Sequence, residues 1–455
     1  MGVKNVFVKT LGCKVNQVES AYIVEKLAEA GFSFSSEDSS KILILNSCIV
    51  TSKAEAETRK IIKKWLKLNP EVIILTGCYA QKFSKEATKL FKNNEKTLFL
   101  VLGQKEKLKI AEILKNTLNK KEEISSPFVL VEDISEEKTC PPVILNQFFA
   151  HSRAFVKVQD GCDNFCSYCI VPYTRGRPRS VPLEFILKQI EIFVEKGYRE
   201  IVLTGIHLGK WGIDLNPTQR LTTLLIETEK FLSSFNKEFS IRLSSIEVNE
   251  IDEAFFEFIK NSKFIAPHFH IPLQSGSNKI LKLMNRNYTR EKYLETLEKL
   301  YEIYPYATFG ADVIVGFPGE DEKDFRDTYE LVKVSPLNWL HIFPYSERPG
   351  TPAEKLNFKV PQKEIEERKK LLKDLIEEKR KRFLEKELGK IRKAVLESFD
   401  RNKLMWKALS ENYITTYLTL DKNSNRDEKL KRALIKVKFL KREDDYLVGN
   451  FLKLL

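Results

Sequence analysis

The chain has 455 residues, 42% of them hydrophobic and 31% charged, which is enough for two or three globular domains. Its net charge of +13 favours polyanionic partners such as nucleic acids, although a solvated, lysine-rich surface explains the charge equally well. No apolar run approaches the roughly 18 residues of a membrane span, and the start lacks a signal-peptide pattern. We therefore expect a cytoplasmic protein with no membrane partner.

The first hundred residues alternate short apolar, β-rich runs with helical patterns, which predicts an open parallel α/β sheet. A cysteine closely follows three of the four predicted strands. Because the carboxyl ends of parallel strands share one crevice, these thiols are expected to meet there, although three buried structural cysteines would also explain the positions. The predicted strands are Val6–Thr10, Ile42–Asn46, Val72–Thr76 and Leu98–Leu102, the predicted helices include Ala21–Ala30 and Ala54–Leu68, and the cysteines are Cys13, Cys48 and Cys78.

A charged, proline-containing stretch then weakens this pattern, so we predict a linker at residues 121–147. A second α/β series follows the linker. Its six βα units favour a partial (β/α)6 barrel with chemistry at the carboxyl ends of the strands. The predicted strands are Phe155–Val158, Glu200–Thr204, Ser240–Ser244, His268–Leu273, Phe309–Val315 and Leu340–Pro344, and the predicted helices include Leu183–Lys196 and Glu291–Tyr304.

The last hundred residues predict a helix and a small β module. The highly charged segment within residues 361–388 reads as a helix that braces two modules, with a solvated helix face as the alternative. Alternating runs such as YITTYLTL and ALIKVKFL then predict a small antiparallel barrel or sandwich. The fold class is therefore α/β, with domains at residues 1–120, 148–385 and 386–455 and the linker between the first two.

The strongest chemical signal is a cysteine cluster just after the first strand of the second series. Cys162, Cys166 and Cys169 have the spacing C-x3-C-x2-C. Three thiolates this close can hold three irons of a 4Fe-4S cluster and leave the fourth iron open to an outside ligand. A zinc site would need a fourth ligand at recognisable spacing, which the sequence does not offer. The spacing therefore favours an iron-sulfur cluster.

Sequence segments along nearly the whole chain extend this pattern. LGCKVNQVES, NSCIVT and TGCYAQ surround the first three cysteines, and QDGCDNFCSYCIVPYTRGRPRS surrounds the next three. TGIHLG, RLSSIE, HFHIPLQSGS, LKLMNR, DVIVGFPGE and FPYSERPGTPA follow in order. Together these segments resemble the radical S-adenosylmethionine methylthiotransferases, a family that adds a methylthio group to a transfer RNA base or to a ribosomal protein.

The resemblance implies two 4Fe-4S clusters and S-adenosylmethionine as cofactors. The C-x3-C-x2-C cysteines would hold the cluster whose open iron binds S-adenosylmethionine and leads to a 5'-deoxyadenosyl radical. The three cysteines near the amino terminus would hold the second cluster, to which sulfur is attached. We assign no catalytic side chain from the sequence. Residues at predicted strand ends are the candidates for binding S-adenosylmethionine: Thr204, Gly205, Ser245, Glu247, Gln274 and Gly316.

Within the family, LGCKVNQVES and FPYSERPGTPA most resemble the bacterial branch that modifies N6-threonylcarbamoyladenosine next to the anticodon of transfer RNA. The branch that modifies isopentenyladenosine stays open as an alternative. A ribosomal-protein aspartate is a weaker one, because enzymes of that branch resemble LGCPKN at the first cysteine. The implied partners are transfer RNA, an electron donor such as flavodoxin or ferredoxin, and a sulfur source.

The carboxyl-terminal module resembles the TRAM domain, a small barrel on which basic and aromatic side chains bind RNA. Arginines beside the C-x3-C-x2-C segment are expected to steer a phosphate backbone or a cofactor carboxylate. Cys140, His151 and His207 are expected to be structural or incidental. The candidates for RNA contact are Trp406, Tyr413 and residues 436–438, and the steering arginines are Arg175, Arg177 and Arg179.

Two other classes of protein remain compatible with parts of this pattern. One is a radical S-adenosylmethionine enzyme whose first domain lacks a working cluster. The other is an RNA-binding protein with a structural zinc site, although the cysteine spacing suits zinc poorly. Iron and sulfide content separates all three interpretations.

Overall fold

The computed structural model describes residues 4–91, 96–120, 125–148, 151–420 and 430–455. The chain divides into two compact units, each built from segments that are distant in sequence. Unit 1 comprises residues 1–145, 160–179 and 346–354, and unit 2 comprises residues 146–159, 180–345 and 355–455.

Unit 1 contains a parallel sheet of six strands in the order β2-β1-β3-β4-β5-β6. The continuous apolar runs ILIL and VIIL form β3 and β4, and every residue of these strands is buried, as expected for a parallel sheet covered on both faces. The strands are β1 Asn5–Thr10, β2 Ser33–Phe34, β3 Ile42–Ser47, β4 Val72–Gly77, β5 Leu98–Leu102 and β6 Phe128–Leu130, and the helices are α1 Lys14–Glu29, α2 Ser52–Leu66, α3 Cys78–Lys82, α4 Ser84–Lys89, α5 Ile110–Asn119 and α6 Val171–Arg175.

The four strands predicted for this sheet are confirmed, and two short edge strands join them. One of these, β6, lies within the predicted linker and pairs with β5, Leu100 facing Phe128. Helix α1 begins seven residues before its predicted start, directly after Cys13. The linker region therefore contributes to the sheet, and the first cysteine stands at the amino end of a helix.

Unit 2 contains two parallel three-stranded sheets, β7-β10-β11 and β12-β13-β14. A single parallel bridge from Ile241 in β11 to Ile265 just before β12 connects them. The predicted partial barrel of six parallel strands is thus confirmed. The strands are β7 Ala154–Lys157, β10 Glu200–Thr204, β11 Ser240–Leu243, β12 His268–His270, β13 Thr308–Val315 and β14 Trp339–Pro344, and the helices are α7 Leu183–Glu195, α8 Leu221–Ser233, α9 Glu253–Asn261, α10 Asn278–Leu283, α11 Arg290–Ile303 and α12 Glu322–Val334. Two further strands of two residues follow β7 in the chain, β8 Gln159–Asp160 and β9 Arg179–Ser180, and each has one residue in unit 1 and one in unit 2.

The end of the chain forms a long helix and a closed five-stranded barrel in the order β15-β16-β17-β19-β18. Helix α13, Gln362–Lys386, has Phe383 and Leu384 in the core of this closed barrel. The same helix pairs Arg368 with Glu320, next to the end of β13, at 2.7 Å. It therefore braces the partial barrel against the closed one. The strands are β15 Ile391–Asp400, β16 Met405–Ser410, β17 Thr415–Thr419, β18 Leu434–Glu443 and β19 Tyr446–Leu454.

Short 3-10 helices occupy several connections of both units. They are Glu37–Ser39, Glu106–Lys109, Leu208–Lys210, Val248–Glu250 and Pro352–Lys355. In the described part of the chain, no helix combines the length and the apolar character needed to cross a bilayer.

Candidate cofactor sites

The first cysteine triad, Cys13, Cys48 and Cys78, lies at one edge of the sheet in unit 1. Its members follow the carboxyl ends of β1, β3 and β4, which are adjacent in the sheet. Cys48 and Cys78 are buried, whereas Cys13 is exposed. The predicted meeting of three thiols at the strand ends is what this topology produces.

Two glycines let the backbone approach the thiols of this triad. Gly12 has φ +96°, and a Cβ placed there would lie 2.9 Å from both Cβ and Sγ of Cys48. Gly77 has φ +90°, and its Cβ would lie 2.5 Å from the carbonyl oxygen of Ser47. Both positions need the left-handed conformation that glycine adopts at no steric cost. Any larger residue would push the cysteine segments apart.

The thiols of the first triad also interact electrostatically. Burial raises the pKa of Cys48 to about 11, and the neighbouring thiols of Cys78 and Cys13 raise it further. The pKa of Cys13, which stays accessible as a residue, is also raised by desolvation among the surrounding protein atoms, and Arg175 opposes this rise. Three soft sulfur donors at one sheet edge are suited to a multi-iron cluster, since iron ions stabilise neighbouring thiolates. The residues present therefore fit a 4Fe-4S cluster.

The second cysteine triad, Cys162, Cys166 and Cys169, lies in a tight loop that also belongs to unit 1. The Cys162 amide donates to the Gly176 carbonyl at 3.0 Å, and the Cys169 amide donates to the Cys166 carbonyl at 2.9 Å. The amide of Ala353 holds the same loop through the Ser167 carbonyl at 2.7 Å. Cys166 is buried and its two partners are half-buried. The loop thus presents three thiols from eight residues, as a cluster with one open iron requires.

A buried charge network connects the segments that carry the two triads. It consists of Asp160, Arg175, Glu19, Lys107 and Gln104. The Arg175 guanidinium donates to Glu19 at 2.9 Å and to Asp160 at 3.1 Å, and it is 1% exposed. Lys107 binds the other side of Glu19 and donates to Gln104 at 2.5 Å. Gln104 donates to the Cys78 sulfur at 3.3 Å, so the network runs from two residues before Cys162 to the first triad.

This network corrects the expectation that Arg175 steers a phosphate backbone. Because both of its neighbouring carboxylates are within unit 1 and water is excluded, Arg175 is an internal counter-ion rather than a surface cation. Arg179 is also buried and donates to the Arg175 carbonyl at 2.9 Å. Arg177 is exposed. Of the three arginines, Arg177 alone is placed to meet an outside anion.

The residues predicted to bind S-adenosylmethionine follow the carboxyl ends of consecutive strands of the partial barrel in unit 2. Gln274, after β12, has φ +61° and joins β13 by a bond from its amide to the Asp312 carbonyl at 2.8 Å. Gly316, after β13, has φ +78° and donates to Glu320 at 3.1 Å. The others are the buried Thr204, which is the last residue of β10, Gly205 directly after it, and Ser245 and Glu247 after β11, with Ser245 exposed.

Glu247 is already engaged by the protein. Its carboxylate forms a short ion pair with Arg286 and caps the 3-10 helix that follows. A Cβ at Gly205 would lie 2.9 Å from Oε1 of Gln159, so glycine keeps this turn narrow. Cofactor binding by these six residues stays a prediction, and Glu247 is placed to orient Arg286 as much as to contact a ligand.

Sequence reasoning missed a polar cluster on the partial barrel. The ligand atoms of His270, Asp312 and His341 lie within 4.8 Å of one another, and His270 Nε2 is 3.0 Å from the Asp312 carboxylate. Trp339 donates to His341 at 3.4 Å. The sequence signal is a polar residue in each of the predicted strands β12, β13 and β14: Asp312 faces His341 in the register, and His270 faces Gly310, two residues before Asp312. Such a group can bind a cation or hydrogen-bond a polar ligand.

The structure also corrects one candidate for RNA contact. Trp406 is 2% exposed and belongs to the core of the closed barrel, so its ring is unavailable for stacking on a base. Tyr413 stacks on His268 at 4.0 Å between ring centroids. In residues 436–438, Val437 is buried and Lys438 is exposed. The alternation of β18 explains this, because successive side chains point to opposite faces.

Two family profiles match separate parts of the chain. The Radical SAM superfamily profile matches residues 156–332, and the profile called Uncharacterized protein family UPF0004 matches residues 5–100. The first covers the second cysteine triad and strands β10 to β13 of the partial barrel. The second covers the first triad.

Relatives of known name match over most of the chain. A threonylcarbamoyladenosine tRNA methylthiotransferase MtaB of Aquifex aeolicus is 40% identical over 89% of this chain and 94% of its own. This chain belongs to the radical S-adenosylmethionine methylthiotransferase family. The MtaB of Bacillus subtilis is 34% identical over 98% of this chain and 95% of its own. A tRNA-2-methylthio-N(6)-dimethylallyladenosine synthase of Thermotoga petrophila is 34% identical over 88% of each chain.

A solved structure supports the fold. The radical S-adenosylmethionine methyltransferase TsrM of Kitasatospora setae, with cobalamin and a 4Fe-4S cluster bound, matches 77% of each chain with a TM-score of 0.54 and 12% identity. The predicted family and fold are thus confirmed. Membership of this family also rules out the zinc-finger interpretation, because the C-x3-C-x2-C segment lies inside the match to the radical S-adenosylmethionine profile.

Proposed function

We propose that this methylthiotransferase adds a methylthio group to carbon 2 of N6-threonylcarbamoyladenosine next to the anticodon of transfer RNA. The observation that carries the reaction is the pair of cysteine triads in unit 1, each suited to one 4Fe-4S cluster. The substrate rests on the relatives named for threonylcarbamoyladenosine, which match with 34–40% identity. The net charge of +13 suits an RNA substrate.

When bound, the two clusters and S-adenosylmethionine would supply radical chemistry and a site at which sulfur is attached. Radical chemistry suits the C–H bond at carbon 2 of the adenine, because this bond has no acidic proton for a general base to remove. The chain's own residues hold these groups in place. The second triad presents three thiolates from one loop, and the buried charge network fixes the start of that loop through Asp160 and Arg175. The first triad gathers three thiolates at one sheet edge.

Three functional regions follow from this proposal. Residues 1–120 hold the cluster of the first cysteine triad, to which sulfur is attached. Residues 148–385 form the radical S-adenosylmethionine core and residues 386–455 bind RNA. Residues 121–147 link the first two regions. The ranges of the two profile matches support the first and second regions. An electron donor such as flavodoxin or ferredoxin and a sulfur source complete the reaction in the cytoplasm, where transfer RNA is modified.

Mass spectrometry of transfer RNA nucleosides tests the proposal. The gene is expressed in a host that lacks its own enzyme, beside a Cys166→Ala variant as the inactive control. We expect 2-methylthio-N6-threonylcarbamoyladenosine with the wild type and none with the variant. The isopentenyl product alone would assign the chain to the sister branch. No product from either nucleoside, with both clusters loaded, would direct the search to the ribosomal-protein aspartate.

A further inference from the structure

A pocket of about 490 Å³ opens in unit 2 where β14, α13 and the β18-β19 turn meet. This volume lies in the range of small-ligand sites. One wall is apolar and aromatic, and the rim is charged. The apolar wall consists of Trp339, Leu340, Ile342, Ile376 and Leu384, and the charged residues are Lys373, Glu377, Arg380, Lys381, Arg442, Asp444 and Asp445.

Arg380 is the unusual member of this lining. It is 8% exposed, and no carboxylate lies within ion-pairing distance of it in the described residues. Its guanidinium makes only long bonds, to the Thr308 hydroxyl at 3.3 Å and the Tyr413 carbonyl at 3.4 Å, and its Nε has no partner. Burial lowers its pKa to about 10. Asp445 partly opposes this lowering but forms no ion pair with Arg380, so an anion entering the pocket would further stabilise the buried cation.

Trp339 supplies a flat apolar surface beside this cation. The Arg380 guanidinium lies 5.2 Å from the centre of the Trp339 ring. The ring is half-buried, whereas the three other tryptophans of the chain are at most 2% exposed. Trp339 is therefore the one tryptophan on which a ligand can stack. A half-open indole next to an arginine is the combination that proteins use for a base and its phosphate.

We propose that this pocket binds one nucleotide of the substrate RNA, with its base against Trp339 and its phosphate toward Arg380. Lys381 and Lys373, the latter paired with Glu377, supply further cations along α13, over which the backbone of the RNA continues. Asp444 and Asp445 in the β18-β19 turn are placed to accept hydrogen bonds from base or ribose donors. Residues of both the partial barrel and the closed barrel would therefore contact the RNA in this pocket.

This inference rests on the proposed RNA substrate, and the test separates the two. Binding of the reconstituted enzyme to an anticodon stem-loop RNA is measured by filter binding, with intrinsic tryptophan fluorescence as a second readout. The variants are Trp339→Leu and Lys373→Ala. Lys363→Ala is the matched control, because both lysines lie on α13 in exposed i,i+4 pairs with a glutamate, at 3.5 Å for Lys373 and 4.0 Å for Lys363.

We expect Trp339→Leu and Lys373→Ala to raise the Kd about five-fold or more, and Lys363→Ala to change it less than about two-fold. RNA should quench the fluorescence of the wild type and leave that of Trp339→Leu unchanged. Wild-type affinity in both pocket variants would overturn the pocket while leaving the RNA substrate in place. Equal weakening in all three variants would also overturn it. A wild type that binds no RNA would refute the proposed function and the pocket together.

Discussion

Arg175 combines full burial with two carboxylate partners from different parts of the sequence. Glu19 in α1 and Asp160 before the second triad both depend on it for compensation of their charge. Lys107 is a further cationic partner of Glu19, and the Arg175 guanidinium also forms an ion pair with Asp160. Removing one member of a buried ion pair leaves an uncompensated charge, which costs about 3–5 kcal/mol.

We therefore expect Arg175→Gln to lower the free energy of unfolding by about 3 kcal/mol or more and to reduce iron incorporation at both triads. Urea unfolding and iron analysis after anaerobic reconstitution measure the two effects. Arg177→Gln is the matched control, because Arg177 is exposed two residues away and should change stability by less than about 0.5 kcal/mol. Full iron loading and wild-type stability in Arg175→Gln would refute the structural role of the network.

Asp321 gives a prediction about pH. It caps α12 by accepting from the Asp324 amide at 3.0 Å, and Lys279 lies 2.9 Å from its other oxygen. The backbone bond and Lys279 lower its pKa to about 2 from the ordinary 3.8. A carboxyl whose pKa is lowered by folding stabilises the protein above 3.8, and this contribution is lost as the pH falls from 3.8 to about 2.

Asp321→Ala should accordingly reduce the free energy of unfolding by about 1 kcal/mol near pH 7 and by much less near pH 2. Asp321→Asn keeps an acceptor for the cap but has no charge, so its smaller loss should arise from the missing Lys279 pair and should fade with added salt. Denaturant unfolding at both pH values compares the three proteins. A loss in Asp321→Ala that is the same at both pH values would contradict the role of the charge.

At the scale of elements, the sequence predicted strands better than it predicted the start of α1. Runs such as ILIL predict a buried strand directly, because a parallel strand that is covered on both faces is apolar at every position. In α1, by contrast, Asn16, Glu19 and Glu25 are among the buried residues. The burial of Glu19 depends on Arg175, 156 residues away, which no local pattern contains. Polar residues buried by distant partners interrupt the apolar periodicity from which helices are predicted.

Two consecutive leucines test how α13 braces unit 2. Leu372 is fully buried, whereas its neighbour Leu371 is 50% exposed. Replacing either leucine by alanine leaves helix propensity nearly unchanged, so the two variants differ only in the packing contacts that they lose. We expect Leu372→Ala to lower the free energy of unfolding by about 2–4 kcal/mol and Leu371→Ala by less than about 1 kcal/mol. Similar losses in thermal or urea unfolding of the two variants would show that α13 is not packed as the structure has it.

At the scale of the whole molecule, the sequence predicted which cysteines belong together but not where the second triad resides. The C-x3-C-x2-C segment follows β7 in the chain, so it was predicted as part of the 148–385 core. In the structure, residues 160–179 are grouped with the amino-terminal sheet in unit 1. The contacts responsible are long-range ones, such as Arg175 with Glu19. The pocket at Trp339 and Arg380 was equally hidden, because its walls come from three separate segments.

The presence of both triads in unit 1 leads to a prediction about cluster loading. If each triad holds one 4Fe-4S cluster, the reconstituted wild type should contain about eight irons and eight sulfides per chain. A Cys48→Ala, Cys78→Ala double variant should retain about four, and so should a Cys166→Ala, Cys169→Ala double variant.

Electron paramagnetic resonance of the reduced proteins distinguishes the cluster that remains in one double variant from the cluster that remains in the other. S-adenosylmethionine should perturb the signal of the variant that keeps Cys162, Cys166 and Cys169, since the cluster of the C-x3-C-x2-C segment is the one expected to bind it. It should leave the signal of the other variant unchanged. Four irons in the wild type would mean that a single triad is functional, and the chain would then lack the sulfur attachment point on which methylthio transfer depends. Loss of all iron from either double variant would show instead that the triads do not assemble independently, because the buried charge network couples the folding of their segments.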